Sequence, residues 1–144
     1  APLAPVVELL ADADVVQLVG VSRPIAFGPP PGVTPEQVEA LIEDVRPLDP
    51  YTGIFIVELH DGDGFWTEVL IVHADEAGAA ANEPIVADVL ENGVDLQNQQ
   101  PIAELLPGAD VTADGVILRV TLPNPGSFAR AFRMLQDSSL FPTA

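Results

Sequence analysis

The chain has no cysteine and no lysine, and it holds one methionine, one tryptophan, one tyrosine and two histidines among 144 residues. Without cysteine there are no disulfides, no thiolate nucleophile and no cysteine zinc site, so sulfur-based cross-linking and redox chemistry are excluded. Five arginines are the whole cationic complement against 22 acidic side chains, which leaves a net charge of -17. Nucleic-acid binding rests on cations that displace phosphate counterions, and anionic membranes repel a chain that lacks them. Long apolar runs are missing too, since none approaches the roughly 18 to 20 residues of a spanning helix. No nucleic acid and no membrane insertion are therefore expected. The glycines spell neither a phosphate-binding loop nor a dinucleotide fingerprint, and Ser22, Ser127, Ser138 and Ser139 stand outside any nucleophile elbow. Nothing calls for a cofactor.

What the chain does have is carboxylate on an apolar background: 48% of residues are hydrophobic and the mean hydropathy is +0.31. That combination predicts a well-filled core plus an apolar surface covered by a partner or a second copy. The acidity itself has three readings: solubility in high salt, recognition of a basic partner, or collection of cations. The length suits one domain, 1–144. The start Ala1-Pro2-Leu3-Ala4-Pro5, without methionine, is also what a trimmed fragment or methionine removal before alanine would leave; the expectation carried here is the mature end of an exported chain.

Val6, Leu9 and Leu10 predict a short opening helix. The β-branched run Val15 to Ser22 predicts a strand covered on both faces, followed by a stiff Pro29-Pro30-Pro31-Gly32 connector. Thr34-Pro35-Glu36-Gln37 has a capping hydroxyl, proline at the first helical position and glutamine three residues after the cap, which opens a helix with a stripe of Val38, Leu41, Ile42 and Val45. Gly53 to His60 and Phe65 to Ala74 flank Asp61-Gly62-Asp63-Gly64 and predict a hairpin turning at Gly62-Asp63. Its register sets Phe55, Val57 and Leu59 against Leu70, Glu68 and Trp66 on one face, and Ile54, Ile56, Glu58 and His60 against Ile71, Val69, Thr67 and Phe65 on the other. One face is expected to carry helices, and the other needs a second layer, a partner or a ligand.

Beyond the hairpin, Ala77 to Ala81 reads as a linker and Glu83-Pro84 as the start of a short helix ending near Gly93. A turn around Ile102 to Leu106 precedes a strand over 115 to 122, placed at an edge or with one face in water. A final helix is striped by Phe128, Ala131, Phe132 and Leu135. The order predicts an α+β fold of ferredoxin-like type: a βαββαβ antiparallel sheet with helices on one face and extra terminal helices. The stretch Leu122-Pro123-Asn124-Pro125-Gly126-Ser127-Phe128-Ala129-Arg130 resembles the strand-to-helix passage of ACT regulatory domains, which implies helix-start amides that contact an amino-acid effector. It reads equally as proline starting a helix.

Candidate site residues are few. Glu58 and His60 share a strand face and supply a carboxylate and an imidazole for acid-base work, with Phe55, Ile56 and Trp66 as apolar lining for a ligand. His73 lies at the far end of the hairpin, too distant to cooperate with His60. Asp61 and Asp63 suggest a cation, but counting a calcium loop from Asp61 puts Trp66 where glycine belongs and Val72 where glutamate belongs, which favours a plain turn and no metal. Arg130 and Arg133, three apart on the last helix, are the candidate anion anchors, with Arg23 and Arg119 beside them; the plainer expectation is that all four neutralise neighbouring carboxylates.

The functional expectation is a non-enzymatic acidic interaction domain that associates through an apolar sheet face with a protein partner or with itself. The alternatives are a small enzyme or ligand-binding protein with a pocket on the open face around Glu58 and His60, and an immunity or inhibitor-type protein for a basic partner.

Overall fold

Two β-branched runs separated by glycine and aspartate fold back on each other at the centre of the computed structural model, which describes residues 2–21, 29, 31–62, 64–95, 98–123, 126–136 and 140–143. Strand β2 (Gly53–Asp61) pairs antiparallel with β3 (Gly64–Val72), from Gly53 opposite Val72 through Val57 opposite Glu68 to Asp61 opposite Gly64. This is the register expected from the sequence, because period-two alternation around a two-residue turn leaves one pairing that keeps both apolar sets together. Asp63, the second turn residue, lies outside the described residues, as do Ser22, Arg23, Asn124, Pro125, Ser138 and Ser139.

The hairpin is the middle of a five-stranded antiparallel sheet. Strand β1 (Asp14–Val21) lies beside β2; on the other side, β7 (Ile117–Leu122) lies beside β3, and β6 (Asp110–Asp114) lies beyond β7. Strands β4 (Val94–Asp95) and β5 (Gln100–Pro101) form a separate small ribbon. Among the described residues there are five helices: α1 (Leu3–Leu9), α2 (Pro35–Val45), α3 (Glu76–Asn92), α4 (Ile102–Leu105) and α5 (Ser127–Gln136).

The α+β character is as expected, but the strand order differs from the ferredoxin-like one. A split βαβ unit would insert a strand between β1 and β2; here the two pair directly and antiparallel. The reason lies in α2, which packs against α3 and β4 and does not bridge the sheet to carry a parallel crossover. Its capping box forms as the sequence predicts: the Gln37 N–H donates to Thr34 Oγ1 at 3.3 Å and the Thr34 N–H donates to Gln37 Oε1 at 2.9 Å. Its apolar stripe is only partly used, with Val45 buried and Ile42 exposed.

Both sheet faces are closed, by different means. Ile54, Ile56, Val69, Ile71, Leu118 and Val120 pack under α3, α4 and α5 in the larger core. On the opposite face Phe55, Val57, Leu59, Leu70 and Val72 are closed by Val6 of α1, with Leu9 and Leu10 alongside. The opening helix thus supplies the second layer, and helices occupy both faces of the sheet.

Three expectations on the elements are corrected. Strand β1 is an edge and not a doubly covered strand. Strand β7 is interior, because Asp110–Asp114, whose alternating acids hide its strand character, pairs along its outer side. Helix α3 starts at Glu76 and runs through the supposed linker, capped by Asp75, whose Oδ1 accepts the Gly78 N–H at 2.8 Å. Pro84 sits inside it, and the carbonyl it leaves without a donor belongs to exposed Ala80, where water can serve. Ala79 and Asn82 are small enough to bring this helix against the sheet, and both are fully buried.

The chain after α5 returns to the core. Leu140 and Phe141 are buried, the Leu48 N–H donates to the Pro142 carbonyl at 2.8 Å, and the Tyr51 hydroxyl donates to the Phe141 carbonyl at 2.9 Å.

Candidate functional site

Pairing with β1 gives Glu58 and His60 their side-chain partners. Gln17 of β1 donates from Nε2 to Glu58 Oε2 at 2.7 Å. His60 Nδ1 lies 3.1 Å from Asp14 Oδ2, and its ring tilts against Phe65 at 4.6 Å between centroids. The two residues share a face, but each is tied to a different β1 side chain, and no hydrogen bond joins them among the described residues. Beside Glu58 a cavity of about 180 Å³ opens between Gln17, Thr67 and the start of α5 at Gly126 and Phe128, with Trp66 at its rim.

The three proposed lining residues are not brought together. Phe55 and Trp66 belong to the α1 face, while Ile56 points into the larger core. Phe55 instead covers backbone. A Cβ on Gly20 would come within 2.5 Å of its ring, so the ring lies across the bare backbone of β1 where only glycine fits. Among the described residues no group of three or more His, Asp or Glu side chains could hold a metal ion, and Asp61 is exposed at the hairpin end.

The four described arginines are committed to the chain's own oxygens. Arg130 donates from Nη1 to the Leu105 carbonyl at 2.6 Å, which ties α5 to the end of α4. Arg133 reaches Asp95 Oδ2 at 3.3 Å, a fully buried carboxylate that also accepts from Asn98 Nδ2 at 2.8 Å. Arg46 pairs with Asp88 of α3. Arg119 donates from Nη2 to both oxygens of Glu68, at 2.8 and 3.0 Å, and lies 3.7 Å from Asp114. Glu68 is only 3% exposed, so its carboxylate sits inside the α1 face, where it would be costly unpaired, while Arg119 reaches it from a half-buried position.

A polar network that the sequence reading missed joins His73, Asn82 and Asp49. Asn82 accepts the Asp49 N–H at 2.9 Å and donates back to the Asp49 carbonyl at 3.0 Å and to His73 Nε2 at 2.9 Å. His73 Nδ1 lies 3.2 Å from the Val116 carbonyl, so the ring is neutral with its proton on Nδ1. Burial holds its pKa below the ordinary value, against the raising influence of the Val116 and Ile71 backbone and the Asp75 charge. The available signal was an asparagine inside an alanine-rich helix, a residue that gains little there unless its amide is used.

What remains open is a rim. Seven large apolar side chains are exposed among the described residues, and five of them, Leu3, Val7, Val15, Val16 and Leu18, belong to α1 and β1. Val15 and Leu18 pair with Leu59 and Val57, which places them on the α1 face, and the ladder shifts register between Val15 and Gln17, with Val16 at the irregularity. No charged side chain occurs from Val15 to Val21. Among the described residues no helix is long and apolar enough to cross a membrane, so this surface is not part of a spanning helix. No family model, curated protein or solved structure matches the chain.

Proposed function

We propose that the chain is a non-enzymatic acidic interaction domain, and that its association surface is the α1–β1 rim. The sequence points to an apolar sheet face as the place of contact, but the chain's own helices cover the middle of both faces, which leaves the β1 margin, where Val15 and Leu18 stay exposed. One observation carries the reading: β1 is an eight-residue edge strand with Val15, Val16 and Leu18 at 38%, 51% and 39% exposure on a chain of net charge -17. Among the described residues no strand pairs along the outer side of β1; such an edge invites pairing, and of the devices that blunt one, charge, proline and bulges, Val15 to Val21 has only the irregularity at Val16. Extended partners add to such edges through main-chain hydrogen bonds. Further support comes from the polar groups, since no buried side-chain nitrogen or oxygen among the described residues lacks a hydrogen-bond partner.

The test is affinity capture with the chain and its Val16→Lys/Leu18→Lys and Ile42→Ser variants. Partners lost with the lysine variant and kept with Ile42→Ser support the reading; equal capture by all three contradicts it.

A second reading, binding of a small ligand, is favoured by the cavity beside Glu58. It predicts that Glu58→Gln and Phe128→Ala both weaken binding of whatever small molecule raises the melting temperature in a ligand screen. A chain that no compound stabilises would speak against it.

A further inference from the structure

We propose that the occupant of the β1 edge is a second copy of this chain, paired antiparallel about a two-fold axis so that two five-stranded sheets become one of ten strands. This rests on the reading of the rim as an association surface and names its partner.

Charge selects the occupant first. A basic partner drawn by the net charge of -17 finds no counter-charge between Val15 and Val21, whereas a second copy finds nothing there to repel it. An extended strand is also what the edge needs opposite it, and β1 itself is one. Antiparallel self-pairing is isologous, so the patch is used once in each copy and the assembly closes at two.

The second edge rules out the alternative of endless head-to-tail stacking. Strand β6 is shorter, places Asp110, Thr112 and Asp114 on one face, and holds Asp114 in the Arg119 ion-pair group. Pairing β1 with the β6 of another copy would bury Asp110 and Asp114 against Val15 and Leu18.

Area sets the strength. Eight residues at about 3.4 Å each make an edge about 27 Å long, and a sheet layer about 10 Å thick gives, with the α1 flank, roughly 400 Å² per copy. A two-fold pair then hides roughly 800 Å², below the roughly 1,200 to 2,000 Å² of stable complexes and at the level of weak, reversible ones. Two bodies of net charge -17 repel each other across the rest of their surfaces. Salt shortens that repulsion from about 10 Å at 0.1 M to about 3 Å at 1 M, so association strengthens with salt.

Sedimentation equilibrium of the full chain over protein concentration, at 0.1 M and 1 M NaCl, is the experiment. A monomer–dimer equilibrium is expected whose Kd tightens at least about fivefold at the higher salt, weakens at least about tenfold in Val16→Lys/Leu18→Lys and in Val16→Lys alone, and is unchanged in Ile42→Ser. Urea midpoints that stay at the wild-type value show that the lysine variants are folded. A strict monomer under both salts, a dimer indifferent to the lysines, or a series of species beyond the dimer would each overturn the proposal. If the chain is monomeric while the lysine variant still abolishes partner capture, the second-copy inference falls and the interaction reading stands; if the lysines change neither measurement, both fall.

Discussion

The two edges of the sheet are built on opposite rules. Strand β6 is five residues of Asp-Val-Thr-Ala-Asp, short and acidic; its hairpin with β7 is joined within by Arg119 and Asp114 and tied to the body by Arg119 to Glu68 and by His73 to the Val116 carbonyl at the turn. Strand β1 is eight residues with one charge, Asp14; Gln17 to Glu58 and Asp14 to His60 tie it to β2, and the Phe55 ring is laid over Gly20. Acidic residues on a short edge discourage pairing with other chains, and a long uncharged edge permits it. A chain this rich in carboxylate that keeps charge out of Val15 to Val21 on one edge has an asymmetry that the fold itself does not require.

The largest effect is expected where the closed edge is pinned. Arg119→Met removes the partner of a buried carboxylate and should destabilise the fold by about 3 to 5 kcal/mol, while Glu68→Leu/Arg119→Met should recover most of that loss. Urea unfolding of the two variants and the wild type checks it; equal losses in both variants would show that packing, and not the stranded charge, sets the cost.

Next comes the fit beneath the open edge. Gly20→Val drives a side chain into the Phe55 ring and should cost about 1 to 3 kcal/mol, with a rise in amide exchange over 14–21 and little change over 110–122. A uniform rise across the sheet would show that β1 is not separable from the rest.

A smaller effect depends on pH and reports on the His73 tie. Because the folded state holds the ring neutral and the unfolded chain titrates near the ordinary value of about 6.5, the folded form binds fewer protons below that value. Stability is therefore full above about pH 6.5 and falls as the pH drops towards the lowered folded pKa, by at most about 1.4 kcal/mol per pH unit from this one site. The difference in urea midpoint between the wild type and His73→Gln, followed from pH 8 to pH 5, should shrink over that window. A constant difference would mean that Asn82 and Val116 accommodate the imidazolium.

The smallest effect on stability falls at the rim. Val16→Lys should move the unfolding free energy by no more than about 0.5 kcal/mol, while still weakening association.

Much of the centre of the fold was legible in the sequence, and much of its margin was not. The β2–β3 register follows from alternation around one turn, and the α2 start follows from Thr34, Pro35 and Gln37, because both signals are local. Strand β6 was hidden because Asp-Val-Thr-Ala-Asp looks like a loop until β7 is beside it. The start of α3 was hidden because Pro84 looked like a beginning, whereas the capping signal stood at Asp75. Strand order was hidden for a different reason: α2 packs on α3 and β4, a tertiary choice that no local pattern encodes. The site reading shared this limit. Glu58 and His60 were placed on one face from the period of two, but their partners Gln17 and Asp14 come from β1, and only the pairing of β1 with β2 reveals them.

The most direct test of the open-edge account is amide exchange of the segment 14–21 as a function of protein concentration at 1 M NaCl. Alternate amides of an unpaired edge face water, so the account predicts rapid exchange at low concentration that slows as protein is added, with 110–114 unchanged and the slowing absent in Val16→Lys/Leu18→Lys. Exchange in 14–21 that is independent of concentration would contradict it.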